Sequence, residues 1–227
     1  MYKSITTDLM QEVEEAEGIN RRGLILKLLT ILKQVCNHPV NYLKNKDNLQ
    51  TQQSGKMMLL LQLPETIYEN DEKVLIFSQY KKMGELLRRV IHEHFGKKAL
   101  QLHGGNTRKE RDEMVHAFQN NSLSDTFILS LKAGGTGLNL TAGNHVIHYD
   151  LWWNPAVEAQ ATDRAFRIGQ QKNVMVHRMI TKGTLEEKID DMLRSKKQLA
   201  NLAVANGEKW IGELSDKEIK ERVMLGE

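Results

Sequence analysis

The stretch KVLIFSQYKKMGELLRRVIHEHF, residues 73–95, decides the fold class. Its opening, KVLIFS, is an apolar run of strand length. The remainder places Met83, Leu86, Leu87, Val90, Ile91 and Phe95 at three- and four-residue spacing, the period of a helix with one buried face. A strand that is apolar on both faces must be covered on both, as in parallel sheets, and a strand running straight into an amphipathic helix is the βα unit that builds them.

Outward from this stretch the unit repeats. ALQL (99–102) precedes a helix from Thr107, TFILS (126–130) a glycine-rich turn, HVIHY (145–149) a helix after Pro155, and VMVHRMI (174–180) a helix from Thr184. This alternation predicts an α/β fold, a parallel sheet with helices on both faces. Thr107 with Glu110 and Thr184 with Glu187 fit the S/T-x-x-E capping box and mark two helix starts. Upstream, Leu24, Leu28, Ile31, Leu32 and Val35 recur at helical spacing, Ser54 reads as a helix cap, and the polar stretch Asn41 to Ser54 reads as a mobile loop. The expected organisation is a helical preface over 1–70, a sheet domain over 71–183 and a C-terminal helix and tail over 184–227.

Composition narrows the classes. Hydrophobic residues make up 40% and charged residues 27%, with three prolines, so the chain can bury a core and disorder over most of its length is not expected. No segment approaches the apolar length of a membrane span, the first residues lack a secretory pattern, and one cysteine, Cys36, permits neither an internal disulfide nor a multi-cysteine zinc cluster. The expected location is inside the cell, away from the membrane. Net charge is only +3, so nucleic-acid binding would rest on local patches; between Arg164 and Lys197, Lys and Arg outnumber Asp and Glu by nine to four. The same excess also fits a solvated helix face.

In an open parallel sheet ligands collect beyond the carboxyl ends of the strands, and the chemistry-bearing segments fall there. LKAGGTGLNLT (131–141) brings Gly134, Gly135 and Gly137 directly after a strand, where backbone N–H groups can approach an anion, although a tight βα connection would use the same glycines. EAQATDRAFRIGQ (158–170) is read as a helix from Pro155 carrying Gln160, Asp163, Arg164 and Arg167, both arginines on one face. They could stabilise charge in phosphoryl transfer, or be surface arginines with Asp163 as an ionic neighbour. HGGNT (103–107) offers a capped helix N-terminus for a phosphate, or an ordinary turn. In DLWWNP (150–155) one of two adjacent tryptophans can face the core and leave the other for contact, or the pair can be partly buried and cap the sheet edge, the more common outcome. The histidines have no clustered cysteines or carboxylates, so no metal site is expected.

LKQVCNHP (32–39), SGK (54–56), KVLIFSQY (73–80), HGGNT with Arg111, LSLKAGGTGLNLT (129–141), DLWWNP and QATDRAFRIGQ (160–170) stand in the order and approximate spacing of the C-terminal lobe of Swi/Snf-type ATPases of helicase superfamily two. The chain resembles that lobe over nearly its whole length. The resemblance implies a RecA-like domain of the P-loop NTPase type, with an N-terminal helical extension and a C-terminal brace helix. It implies ATP and Mg2+ held mainly by a preceding N-terminal lobe of the same polypeptide, double-stranded DNA as partner, and a protein or nucleoprotein cargo. Carried over residue by residue, it implies Arg164 and Arg167 as arginine fingers, and Gly135, Gly137, Asn139 and Gln160 near the nucleotide. Ser78, Gln79, Gly105, Thr107, Ser130, Lys132, Gly134, Thr136 and Trp153 would face DNA. Phe166 stands where many relatives carry histidine, so a polar role there is not carried over. Compact loops and uncharged tails resemble bacterial or archaeal members, implying a cytoplasmic protein, nuclear if the source is eukaryotic. A free-standing, non-catalytic DNA-binding or regulatory module is the alternative, since no Walker A sequence is present.

Overall fold

A computed structural model describes residues 1–43, 50–120, 124–130, 137–199 and 214–226. Its elements are α1 (Tyr2–Glu14), α2 (Gly18–Asn37), α3 (Pro39–Leu43), a 3-10 turn (Thr51–Gln53), α4 (Gly55–Glu69), β1 (Val74–Phe77), α5 (Lys81–Phe95), β2 (Ala99–Leu102), α6 (Arg108–Asn120), β3 (Thr126–Leu129), β4 (His145–His148), α7 (Pro155–Thr162), β5 (Met175–Arg178), α8 (Leu185–Leu199) and α9 (Asp216–Val223). They form two compact units, one of Met57–Leu151 and Ala156–Met179, the other of Met1–Lys56, Trp152–Pro155 and Ile180–Glu227.

In the first unit five strands lie in the order β2-β3-β1-β4-β5, every pairing parallel. The apolar runs sit where burial is deepest: every residue of β1 and of β3 is buried. Leu75, Phe77, Phe127, Leu129 and Val146 point to one face, where Phe118 of α6 and Ala161 of α7 join them in a core. On the other face α5 comes so close that a Cβ on Gly84 would stand 2.6 Å from the Gln101 amide and 3.3 Å from Ile128, which is why that helix carries glycine in its first turn. The connection after β1 departs toward β2 and the one after β4 toward β5. Their carboxyl ends therefore flank a crevice, the position where open α/β sheets receive ligands.

In the second unit α1, α2, α8 and α9 share a core that includes Leu9, Val13, Ile25, Leu28, Leu32, Leu185 and Ile219. Arg21 ties α2 to the start of α9, donating to Asp216 at 2.6 Å and to the Leu214 carbonyl at 2.8 Å. The helical preface and the C-terminal helices are thus parts of one body, and α4 beyond Lys56 belongs with the sheet. Tyr68 of α4 packs edge-on against Phe95 at 5.3 Å, and its hydroxyl is hydrogen bonded to Thr126. Helical periodicity marks a buried face without saying which core receives it, and for that reason the structural division departs from 1–70, 71–183 and 184–227.

Local signals fare differently. The box at Thr107 forms as read, with Thr107 N–H donating to Glu110 at 2.7 Å and Glu110 N–H to the Thr107 hydroxyl at 3.2 Å. At Thr184 it is displaced by one residue: Glu187 accepts from Gly183 N–H at 2.8 Å, and the Thr184 hydroxyl from Glu186 N–H at 3.3 Å. Ser54 stands directly before α4, and its hydroxyl donates to the Asn37 carbonyl at 2.7 Å at the end of α2. Within the expected loop, 44–49 lie outside the described residues, while His38 accepts from Val40 N–H at 3.1 Å and is hydrogen bonded to the Gln50 carbonyl at 3.0 Å. Among the described residues no helix is long and apolar enough to cross a membrane.

Candidate functional site

The crevice at the ends of β1 and β4 is organised by Asp150, 1% exposed, a residue the sequence reading passed over. Its carboxylate accepts from the Ser78 hydroxyl at 2.7 Å and from Gln79 N–H at 2.8 Å, while the Gln79 amide donates to the Leu151 carbonyl at 2.8 Å. Ser78 and Gln79 are therefore brought to the expected edge with their donors turned inward, and Ser78 itself is buried. An acidic residue directly after HVIHY (145–149) was the available signal. Asp150→Ala leaves one buried and one part-buried donor without their acceptor, a buried one worth roughly 1–3 kcal/mol. The expected outcome is a loss of about 2–4 kcal/mol in urea denaturation, with Asp150→Asn milder because it keeps one acceptor.

The HGGNT loop is likewise self-satisfied. His103 N–H donates to Asn106 at 2.8 Å, Gly105 N–H to His103 Nδ1 at 3.1 Å and Thr107 N–H to Glu110 at 2.7 Å. Gly105 and Thr107 are exposed, as a backbone contact needs, but the Glu110 carboxylate already occupies part of the positive end of α6, and those hydrogen bonds hold it below the usual carboxylate range. At the start of α5, just beyond Gln79, Lys81 and Lys82 are exposed. Ser130, partly exposed, follows β3 on the same edge, its N–H donating to the Leu102 carbonyl at 2.9 Å. Lys132, Gly134, Gly135 and Thr136 lie outside the described residues.

The arginines are not on a helix. α7 ends at Thr162, and a series of turns carries Arg164 and Arg167. What replaces the helix is a set of links to the end of the glycine loop. Leu140 N–H donates to the Arg164 carbonyl at 2.9 Å, and the Gln170 amide donates to the carbonyls of Thr141 at 3.0 Å, Gly143 at 3.0 Å and Ala165 at 3.2 Å. Gly137, at φ +100°, takes a backbone conformation open to glycine. Arg167 is exposed and rests on this loop, donating to the Leu138 carbonyl at 3.2 Å. Arg164 is 8% exposed and has no hydrogen-bond acceptor among the described residues. Burial, then the charge of Arg167, lower its pKa, while Asp163 opposes them. Two neighbouring guanidiniums, one of them largely desolvated, form a place suited to an anion. Gln160, near the end of α7, and Asn139, between the Leu138 and Leu140 backbone groups that bond to the turn, are both exposed.

Trp153 departs from its expected duplex-facing place. It is 9% exposed in the core of the helical unit, with the Lys33 ammonium 4.6 Å from its ring centroid. An indole offers more apolar area than an exposed turn can use, so it goes to the core that is within reach. His145 is engaged by Glu72 at 2.7 Å and His177 at 3.3 Å, and among the described residues no group of three or more His, Cys, Asp or Glu is placed to hold a metal ion.

Residues 55–169 match the family described as Helicase conserved C-terminal domain. The chain is 50% identical over 99% of its length to the "Putative ATP-dependent helicase/translocase YwqA" of Bacillus subtilis (strain 168), covering 24% of that protein. It is 36% identical over 96% of its length to the human "SWI/SNF-related matrix-associated actin-dependent regulator of chromatin subfamily A member 1", covering 22% of it. The chain thus spans about a quarter of the length of these relatives. Among solved structures, the Sulfolobus solfataricus SWI2/SNF2 ATPase core in complex with dsDNA matches all of the chain with a TM-score of 0.89 at 38% identity, the chain covering 47% of it. The C-terminal domain of the same ATPase matches with a TM-score of 0.85 at 36% identity, 100% of this chain against 92% of that one. With its five-stranded parallel sheet, its arginine-bearing turn and these likenesses, the chain belongs to the SWI2/SNF2 ATPase family, as a RecA-like helicase C-terminal domain.

Proposed function

We propose that this domain is the second motor lobe of an ATP-driven translocase on double-stranded DNA. In it Arg164 and Arg167 reach the phosphates of a nucleotide held mainly by a preceding lobe. The observation that carries this reading is the arginine turn: Arg164 is 8% exposed with no acceptor among the described residues, Arg167 is exposed beside it, and both are fastened to the glycine loop at the ligand-receiving edge. Gly135, Gly137, Asn139 and Gln160 are the proposed nucleotide neighbours. The proposed duplex contacts, including Ser130, Lys132, Gly134 and Thr136, act on the backbone and so confer little sequence preference. The donors of Ser78 and Gln79 are committed to Asp150 and Leu151, so these two shape the surface more than they supply its hydrogen bonds.

Among the described residues no group of three or more His, Cys, Asp or Glu is placed to hold a magnesium ion. A bound magnesium would neutralise charge on the transferring phosphate. The residues of this lobe would supply guanidinium charge to the same developing transition state, and opening after hydrolysis would advance the lobe along the duplex. The test is ATP hydrolysis by the full two-lobed protein with and without duplex DNA. Stimulation by duplex is expected, with negligible turnover by this lobe alone; a rate indifferent to DNA defeats the reading.

A further inference from the structure

The sheet grips α7 at two points. His148 and Arg178 are register partners at the carboxyl ends of the adjacent strands β4 and β5, so their side chains rise from the same face. His148 Nε2 is hydrogen bonded to the Thr162 hydroxyl at 3.0 Å, and Arg178 Nε donates to Glu158 Oε2 at 3.0 Å. Glu158 and Thr162 are four residues apart on α7, one turn along the same face. Two strand-end side chains thus hold one stripe of the helix.

The lower grip lies where the arginine turn begins. Thr162 is the last residue of α7, and its carbonyl accepts from Ala165 N–H at 3.0 Å and Phe166 N–H at 3.1 Å. The segment bearing Arg164 and Arg167 therefore hangs from the residue that His148 holds. The ring of His148 has little freedom, being 1% exposed and stacked on Phe77 with centroids 5.7 Å apart. Burial, with the nearby charge of Arg178, pushes its pKa down to about 4, so it is a neutral partner at ordinary pH. Its Nδ1 is buried without a partner among the described residues. An ordinary core position would be filled more favourably by an apolar ring, so the histidine is kept for the bond made by its other nitrogen.

We propose that His148 and Arg178 are positioning residues, a two-point clamp that acts through Thr162 and Glu158 to aim the arginine turn at the nucleotide. The clamp rests on the function proposed above and touches neither nucleotide nor DNA. It adds a determinant of turnover that lies outside the arginine and glycine segments.

The test uses the full two-lobed protein with Thr162→Val, which keeps shape and loses the hydroxyl, and Thr162→Ser, which keeps the hydroxyl. Misplacement of a catalytic group by about 1 Å costs up to roughly 10²-fold in rate. The expected result for Thr162→Val is a roughly tenfold to hundredfold fall in kcat for duplex-stimulated ATP hydrolysis, with KM for ATP, affinity for duplex and melting temperature held near wild type. Thr162→Ser should restore kcat. Glu158→Gln, which keeps an acceptor for Arg178 and so protects folding, should show a smaller fall of the same kind. Wild-type kcat in Thr162→Val or in Glu158→Gln, or a serine variant as slow as the valine one, overturns the clamp. A wild-type protein without duplex-stimulated hydrolysis overturns the proposed function and the clamp together, whereas an active wild type with indifferent variants removes the clamp alone.

Discussion

Arg167→Ala in the full two-lobed protein is expected to lower ATP turnover by roughly 10³- to 10⁵-fold, the range over which arginine fingers act in phosphoryl transfer. The side chain is exposed and, among the described residues, donates to the Leu138 and Gly137 carbonyls, at 3.2 and 3.4 Å. Its removal takes one donor from the part-buried Leu138 carbonyl, so a melting temperature measured beside the rate separates a stability loss from a catalytic one. Duplex affinity without nucleotide should persist. Arg164→Ala should be as slow, because the Leu140 N–H is held by the backbone carbonyl of residue 164, which the substitution leaves in place. Arg167→Lys keeps the charge and loses the planar two-donor fork, so it should recover only a small part of the rate. Steady-state hydrolysis at saturating ATP and DNA reads all three, and an unchanged kcat in Arg167→Ala removes the arginine assignment.

The sheet was legible because each strand is a short apolar run between helical periods; ALQL, read as a strand from the sequence, is β2 residue for residue. The arginine segment was misread for an instructive reason. ATDRAFRI contains no glycine or proline, and its spacing is helical, so nothing local ends α7 at Thr162. The termination is tertiary: Leu140 takes the Arg164 carbonyl, the Gln170 amide takes the distant Thr141 and Gly143 carbonyls together with that of Ala165, and these bonds stand in place of the next turn of helix. Asp150 was missed because an aspartate after a strand looks like any turn residue until Ser78 and Gln79 are seen to converge on it from a strand distant in sequence. The polar partners of α7 were invisible for the same reason. Strand pairing alone brings His148 beside Arg178, and no periodicity encodes which strand neighbours which.

The largest expected loss of stability lies at Lys56 and Glu186, each with a side chain 2% exposed and joined at 2.6 Å. Glu186 also accepts from Thr181 N–H at 3.0 Å, and Lys56 donates to the Asn37 side chain at 3.3 Å. The pair therefore holds the end of α2, the first turn of α4 and the first turn of α8 at one point. Its surroundings are dry: burial first, and then the negative charge of Glu186, push the Cys36 thiol up to about 12. Such a pair adds little over a well-packed apolar pair, because desolvation offsets most of the attraction, but removing one partner strands a charge and costs about 3–5 kcal/mol. Glu186→Leu and Lys56→Met should each lose about that much in guanidinium denaturation, while the double variant should lie closer to wild type than either single one. A Glu186→Leu protein within about 1 kcal/mol of wild type, the usual range for an exposed pair, would mean that water reaches the site. The SGK and LKQVCNHP segments, which supply Lys56, Asn37 and Cys36, would then need another reason for standing together.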